Sequence, residues 1–357
     1  MIFELIKIAL GQKSSLSRIP SDNDWNDIFQ FAVKQSLVGV LFSAVERLNA
    51  KDASVKPPMS LFYQWLGEVT RIEEQNRMLN TSSTELYKLF RDKGKRSCVL
   101  KGQGVAMLYP EPLRRQSGDI DLWVEGKRKE TLRFLEENGY EIDSVVYHHA
   151  DADILPGVEA EIHFLPCWTY NQIIEHRLQQ YFREHAEEQF AHYDEKVGFA
   201  YPTLSFQAVQ CLSHIYVHFL FEGVGMRQII DCYYILSAMS DDERKNAMAD
   251  IKHIGMQKFT SAVMYVLEKC CGMEAERLIC QPEKKVGELL LDEIILTGNF
   301  GQYDTRYGEH VSDNIISETL RKYRRQIRFV RYYPLDVLTI PCWKLVHRMW
   351  RKLHGYL

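Results

Sequence analysis

Hydrophobic positions recur at helical spacing through the first 94 residues. Ile2, Phe3, Leu5, Ile6, Ile8, Ala9 and Leu10 suit a short amphipathic helix that caps a core. Ser21 or Asp22 can cap a helix through Asp24–Ser36, with acidic residues in its first turn. Leu37 to Ala50 continues the spacing, and Lys56-Pro57-Pro58 breaks it. A helical pattern then runs from Ser60 to Asp92, ending at Gly94. Within it, Ser82-Ser83-Thr84-Glu85 has the form of a capping box, which leaves one helix or two open.

The period changes near residue 97. Ser97 to Leu100 reads as a short apolar strand, followed by Lys101-Gly102-Gln103-Gly104 and a brief helical stretch to Tyr109. Asp119 to Val124 alternates strictly, which predicts a half-buried strand. Lys127 to Asn138 is helical, with Gly139 just past its end. Tyr140–Tyr147 and Val158–Leu165 alternate again, the latter after a Pro156-Gly157 turn. From Ser205 the helical period returns, with helices predicted through 206–221 and 225–239, then at 242–253, 257–269, 284–290 and 313–331. The chain is therefore predicted to be α+β: a helical region 1–94, an α/β core 95–200 and a helical domain 201–357.

Composition adds bounds. At 46% hydrophobic the chain can bury real cores, and a net charge of −4 gives no whole-chain signal for nucleic acid. The charge is uneven: residues 318–357 hold ten Lys/Arg against two Asp/Glu, a local balance of +8. In that segment basic residues alternate with aromatics, as in Arg328-Phe329-Val330-Arg331-Tyr332-Tyr333. Three readings stay open. It is a helix covering a core with its charges in water, a weak contact of 321–352 with an acidic membrane surface, or a nucleic-acid contact. No stretch reaches the ~18 apolar residues of a transmembrane span. The first ten residues lack a basic leader and a small-x-small cleavage site. The eight cysteines contain no CxxC pair, so buried reduced thiols in a cytoplasmic protein are expected.

The chemistry centres on Gly118-Asp119-Ile120-Asp121-Leu122. In a strand, Asp119 and Asp121 share one face while Ile120, Leu122 and Val124 share the other. Paired carboxylates repel, and a hard divalent cation with phosphate oxygens removes that penalty. The turn Lys101-Gly102-Gln103-Gly104 offers close backbone approach to phosphates. Arg114-Arg115-Gln116-Ser117 offers a guanidinium for a phosphate. Glu159, Glu161 and His163 share a face, so a neighbouring strand can supply a third carboxylate for a two-metal site.

These motifs together resemble the nucleotidyltransferase superfamily whose fold is shared with DNA polymerase beta. The residues that carry the resemblance are Val99-Leu100-Lys101-Gly102, Tyr109-Pro110, Arg114-Arg115, Gly118-Asp119-Ile120-Asp121-Leu122 and Glu161-Ile162-His163. More narrowly they look like a bacterial family labelled uncharacterised nucleotidyltransferase, and the arrangement is similar to lincosamide and aminoglycoside nucleotidyltransferases. The resemblance implies a polymerase beta-like core with Asp119, Asp121 and Glu161 as catalytic, metal-binding carboxylates. It implies Mg2+ or Mn2+ as cofactor and NTP as co-substrate. Lys101, Gly102, Gln103, Gly104, Arg115 and Ser117 would bind the nucleotide. The turn reads Gly102-Gln103 where the superfamily carries Gly-Ser, which leaves Lys101 to supply charge in place of a serine hydroxyl.

The expected activity is transfer of an NMP group from NTP to a hydroxyl of a small molecule, releasing pyrophosphate. A protein or RNA acceptor and a non-catalytic nucleotide-binding or interaction role are the alternatives. His163, and further along the chain His214 and His218 with Arg227 and Asp231, are candidates for the substrate cleft. Each of the latter pairs is spaced i, i+4 on a helix, and a polar seam between packed helices is the competing reading. His148 and His149, beside Asp151 and Asp153, read as a solvated loop.

Overall fold

The computed structural model describes residues 1–307 and 315–356. Four helices open the chain: α1 (Ile2–Ala9), α2 (Asp22–Lys34), α3 (Val38–Lys51) and α4 (Met59–Asp92). Ser21 caps α2, accepting from the Asp24 N–H while the Asp24 carboxylate accepts from the Ser21 N–H. The 34-residue α4 is one unbroken helix. Ser82 and Glu85 therefore lie mid-helix and cap nothing, and Thr84 Oγ1 between them reaches the carbonyls of Asn80 (3.1 Å) and Val197 (2.9 Å).

The α/β core follows as β1 (Ser97–Leu100), α5 (Gly102–Ala106), β2 (Ile120–Val124), α6 (Arg128–Glu137), β3 (Glu141–Val145), β4 (His149–Asp153) and β5 (Ala160–His163). The strands form one mixed sheet in the order β1-β2-β5-β4-β3. Only β2 and β5 run parallel, and their register sets Asp121 beside Glu161 and Trp123 beside His163. Next come α7 (Gln172–Ala191), a hairpin of β6 (Tyr193–Asp194) and β7 (Phe199–Ala200), and the helices α8 (Leu204–Phe221), α9 (Met226–Ala238), α10 (Asp241–Ile254), α11 (Gln257–Val266), α12 (Lys284–Thr297), α13 (Ile315–Ile327) and α14 (Pro334–Leu353). The helix expected at 284–290 runs on to Thr297. Of the helix expected at 313–331, residues 313 and 314 lie outside the described residues.

Two features correct the sequence reading. Residues 172–191, left unassigned by their pattern, form the 20-residue α7, capped by Asn171. His149 to Asp153 is a strand inside the sheet, not a solvated loop. Its Ala150 and Ala152 pack on the apolar face, so His149 and Asp151 are delivered to the other.

The sheet separates two apolar clusters. One face presents Val99, Ile120, Leu122, Val124, Ala160 and Ile162 to α6 and the C-terminal half of α4. The larger cluster runs from Leu5 to Val337, so N-terminal and C-terminal helices share one core. All eight cysteines are free. Among the described residues, no helix is long and apolar enough to cross a membrane.

Candidate active site

The second face of the sheet is polar at its centre. Asp121 on β2 and Glu161 on β5 sit side by side, with Asp151 of β4 opposite Glu161 on its other flank. His163 faces His149 across the β4–β5 pair. Asp121, His149 and Glu161 line the floor of a cavity of about 910 Å3, roofed by α8, α9 and the C-terminal helices. His163, expected from the sequence to face the substrate cleft, does not line it: it is fully buried behind the two carboxylates it bonds.

Charge on the floor is internally paired. Asp121 Oδ1 accepts from Lys101 Nζ (2.7 Å) and from His163 Nε2 (2.8 Å). His163 Nε2 also meets Glu161 Oε2 at 3.1 Å, and its Nδ1 meets the Leu165 carbonyl at 3.1 Å. Both ring nitrogens face acceptors, so both carry hydrogen. Burial opposes the imidazolium, but the Asp121 and Glu161 carboxylates outweigh it and hold His163 up at about 9. Burial likewise opposes the Asp121 charge, and Lys101 and His163 hold its carboxyl well below the usual range. Asp119 stands at the mouth of β2. Burial, then the Asp121 and Glu161 charges, push its carboxyl up to about 6.

Lys101 reaches Asp121 because its backbone is strained: φ is 47° and ψ −127°, a region that non-glycine residues rarely occupy. Gly102 follows at φ 20° and lines the cavity. Gln103 and Gly104 do not line it. Gln103 is buried against α4, where its Nε2 donates to Asn80 Oδ1 (2.5 Å), and a Cβ on Gly104 would press on Tyr201. Arg115 and Ser117 both line the cavity. Arg115 is committed elsewhere, forking onto Asp231 (2.7 and 2.8 Å) and donating to Ser117 Oγ (2.8 Å). Tyr109 completes that buried set with a 2.7 Å bond to Asp231. Asp231 thus anchors Arg115. Arg114 turns away, to Glu46 and Glu73.

On the roof, His214 and His218 share a helix face, their Nε2 atoms 2.9 Å apart. His218 Nδ1 lies 3.2 Å from Glu222, so it donates there. Burial pushes His214 well below its usual value. Arg227 donates to the Gln116 carbonyl at 2.5 Å, while its buried Nε has no protein partner.

The donor set fits a divalent metal: ligand atoms of Asp121, Glu161 and His163 lie within 4.8 Å of one another. His149 extends it, 3.2 Å from Glu161 and 3.3 Å from Asp151. Asp119 falls outside these groups. Sequence reasoning missed His148, His149 and Asp151 as site residues. The missed signal was a period of two in His149-Ala150-Asp151-Ala152-Asp153. It also missed the wall built by Lys322, Trp343, Lys344, His347, Arg348 and Arg351, all of which line the cavity.

A five-stranded mixed sheet between helical flanks, with an acidic pair opening β2 and a third acid on the parallel strand, is the α+β fold of a nucleotidyltransferase. The chain belongs to the family described as "Uncharacterised nucleotidyltransferase", which it matches over residues 21–272. Among curated proteins none matches it.

Proposed function

We propose that the protein is a metal-dependent enzyme that moves an NMP group from NTP onto a hydroxyl of a small-molecule acceptor. The observation that supports this reading best is the placement of Asp121 and Glu161 on adjacent parallel strands at the floor of a large cavity. A concave cavity of about 910 Å3, with room for a nucleotide and a second small molecule, supports a small acceptor.

Asp119, Asp121 and Glu161 would hold Mg2+ or Mn2+, and His163 would join them as a nitrogen donor only on giving up its Nε2 proton to the incoming metal. The bound metal supplies charge neutralisation for the triphosphate. A set that mixes imidazole with carboxylates favours Mn2+ over Mg2+. Lys101 and the Gly102 turn, with Ser117, hold the phosphates beside the floor. Arg115 positions Ser117, and Arg227 offers its buried Nε to an oxyanion. The acceptor oxygen attacks the α-phosphorus as the bond to the β-phosphate oxygen breaks. Pyrophosphate leaves with that electron pair, and Glu161 takes the hydroxyl proton. Catalysis is then mostly positioning and electrostatics.

The test is incubation with each labelled NTP, Mg2+ or Mn2+, and a cytoplasmic extract, followed by mass spectrometry for a nucleotidylated small molecule. Near-normal turnover in either Asp119→Asn or Asp121→Asn overturns the assignment.

A further inference from the structure

The C-terminal helix α14 is turned against the rule for a covering helix. Packing alone would point its apolar side inward and its charges to water. Here Lys344, His347, Arg348 and Arg351, spaced i, i+3, i+4 and i+7, line the cavity. Leu338, Leu345, Met349 and Leu353 face out, at 65, 62, 57 and 80% exposure. The orientation is held by specific contacts. Arg128 lies 4.5 Å over the Trp350 ring, Trp343 meets Tyr147 edge-on at 5.5 Å, and Thr339 Oγ1 donates to the Tyr170 carbonyl at 2.9 Å. No carboxylate of α14 lines the cavity; its single acid, Asp336, is buried beside Asn171 in the first turn.

Aromatic rings run along the same wall. Trp343 leads to Tyr147, then Trp168 (5.1 Å), Tyr170 (4.4 Å) and Phe221 (5.1 Å). Such a row gives a flat apolar rest for a ring beside a cationic grip. The floor's own cations are already matched: Lys101 to Asp121 and Arg115 to Asp231. Arg348 and Arg351 have no carboxylate partner among the described residues; Arg351 Nε donates to the Tyr356 carbonyl (3.1 Å), which leaves its terminal nitrogens for a ligand. The wall therefore carries positive charge beyond what the floor needs; its α14 cations lie outside the family match over residues 21–272, while its Tyr147, Trp168, Tyr170 and Phe221 lie within it.

We propose that this wall is the acceptor subsite, and that the acceptor is a small ring-containing molecule bearing a phosphate ester. Arg348 and Arg351 grip the phosphate with Lys344 beside them, and the Trp343–Tyr147–Trp168 row supports the ring. Guanidinium forks match phosphate oxygens two by two. The inference rests on the nucleotidyltransferase reading for the word acceptor, but the anion site can be measured without turnover.

The experiment is calorimetric titration of the full chain with inorganic phosphate, ribose 5-phosphate, glucose 6-phosphate and the unphosphorylated sugars. Each is run with and without a saturating α,β-methylene NTP and Mn2+. At least one sugar phosphate should bind at least about tenfold more tightly than its parent sugar. Its affinity should hold within about twofold when the NTP analogue is bound. The Arg348→Gln/Arg351→Gln variant should weaken the sugar phosphate by about tenfold or more and the analogue by less than about twofold. The Arg348→Lys/Arg351→Lys variant, which keeps the charge, should recover part of the loss. Competition between sugar phosphate and analogue, or an equal loss for both in the Gln variant, overturns the proposal and gives the wall to the nucleotide's own phosphates. Failure of every phosphate to bind, or unchanged binding in the Gln variant, overturns it outright. Sugar-phosphate binding in a protein that binds no analogue leaves the anion site standing and defeats the nucleotide reading instead.

Discussion

The cavity has a floor and a wall that hold charge in opposite ways. On the floor, acids and bases are matched one against another: Asp121 with Lys101 and His163, Asp231 with Arg115 and Tyr109. These groups are largely buried, and each buried carboxylate owes its charge to the cations and donors beside it. On the wall, Arg348 and Arg351 come from a solvent-lapped helix with no matching carboxylates on its cavity side. Floor charges are therefore part of what keeps the protein folded. Arg348 and Arg351 point into the cavity without a carboxylate partner among the described residues. The family match spans residues 21–272, which hold the floor and end before α14.

That contrast can be broken from the floor first. Asp121→Asn should lower transfer by about a thousandfold, measured as labelled product formed per minute, because it removes charge where the triphosphate is neutralised. Asp231→Asn should cost about 3–5 kcal/mol in urea unfolding at neutral pH, since it strands Arg115 in a dry pocket. Burial works against the Asp231 charge, but Arg115 and Tyr109 outweigh it and hold its carboxyl below the ordinary value. A depressed carboxyl contributes stability above the unfolded value, and loses it as pH falls through the folded one. The gap between wild type and Asp231→Asn should therefore be full above about pH 4 and shrink below it. Asn76→Ala should cost about 1–3 kcal/mol by the same assay, because Asn76 Nδ2 donates to the carbonyls of Leu113 and Arg115 (both 2.8 Å), the turn that delivers Arg115. Arg348→Gln should change stability by less than about 0.5 kcal/mol, as expected for an exposed residue with no structural partner to strand. A large loss there would erase the distinction between floor and wall.

Much of the floor was legible because strands announce themselves by alternation. Asp119 to Val124 named both the strand and its polar face, and Glu161 with His163 followed by the same rule. What the period could not supply was order within the sheet. That Glu161 abuts Asp121 depends on β5 inserting between β2 and β4, a non-local pairing with no local signature. His149 and Asp151 escaped for a simpler reason: Ala150 and Ala152 are small, so the alternation was weak in hydrophobicity although regular in spacing. Helix α7 was hidden because its apolar positions are scattered around polar ones such as Gln179 and Gln189, which are themselves buried. Helix α14 was not predicted as an element; the sequence showed only basic residues among aromatics in this stretch. Which of its faces turns inward depends on Arg128, Tyr147 and Tyr170, residues roughly two hundred positions away, and no helical period records that. The turn at Lys101 was read correctly as special, but its glycines divide their work: Gly102 opens to the cavity, while Gly104 admits Tyr201.

Helix α4 has a consequence for how the molecule comes apart. At 34 residues it is about 50 Å long. Its first half, through Leu61, Trp65, Val69 and Ile72, belongs to the helical core; its second, through Leu79, Leu86 and Phe90, belongs to the sheet core. Asn76 sits at the changeover and fastens the Arg115 turn. A continuous rod shared by two cores couples their melting, because neither can lose its packing without fraying a helix the other requires. Heating should therefore show one cooperative transition, with the cavity collapsing at the same temperature as the helices, instead of a sheet unit and a helical unit that let go in turn.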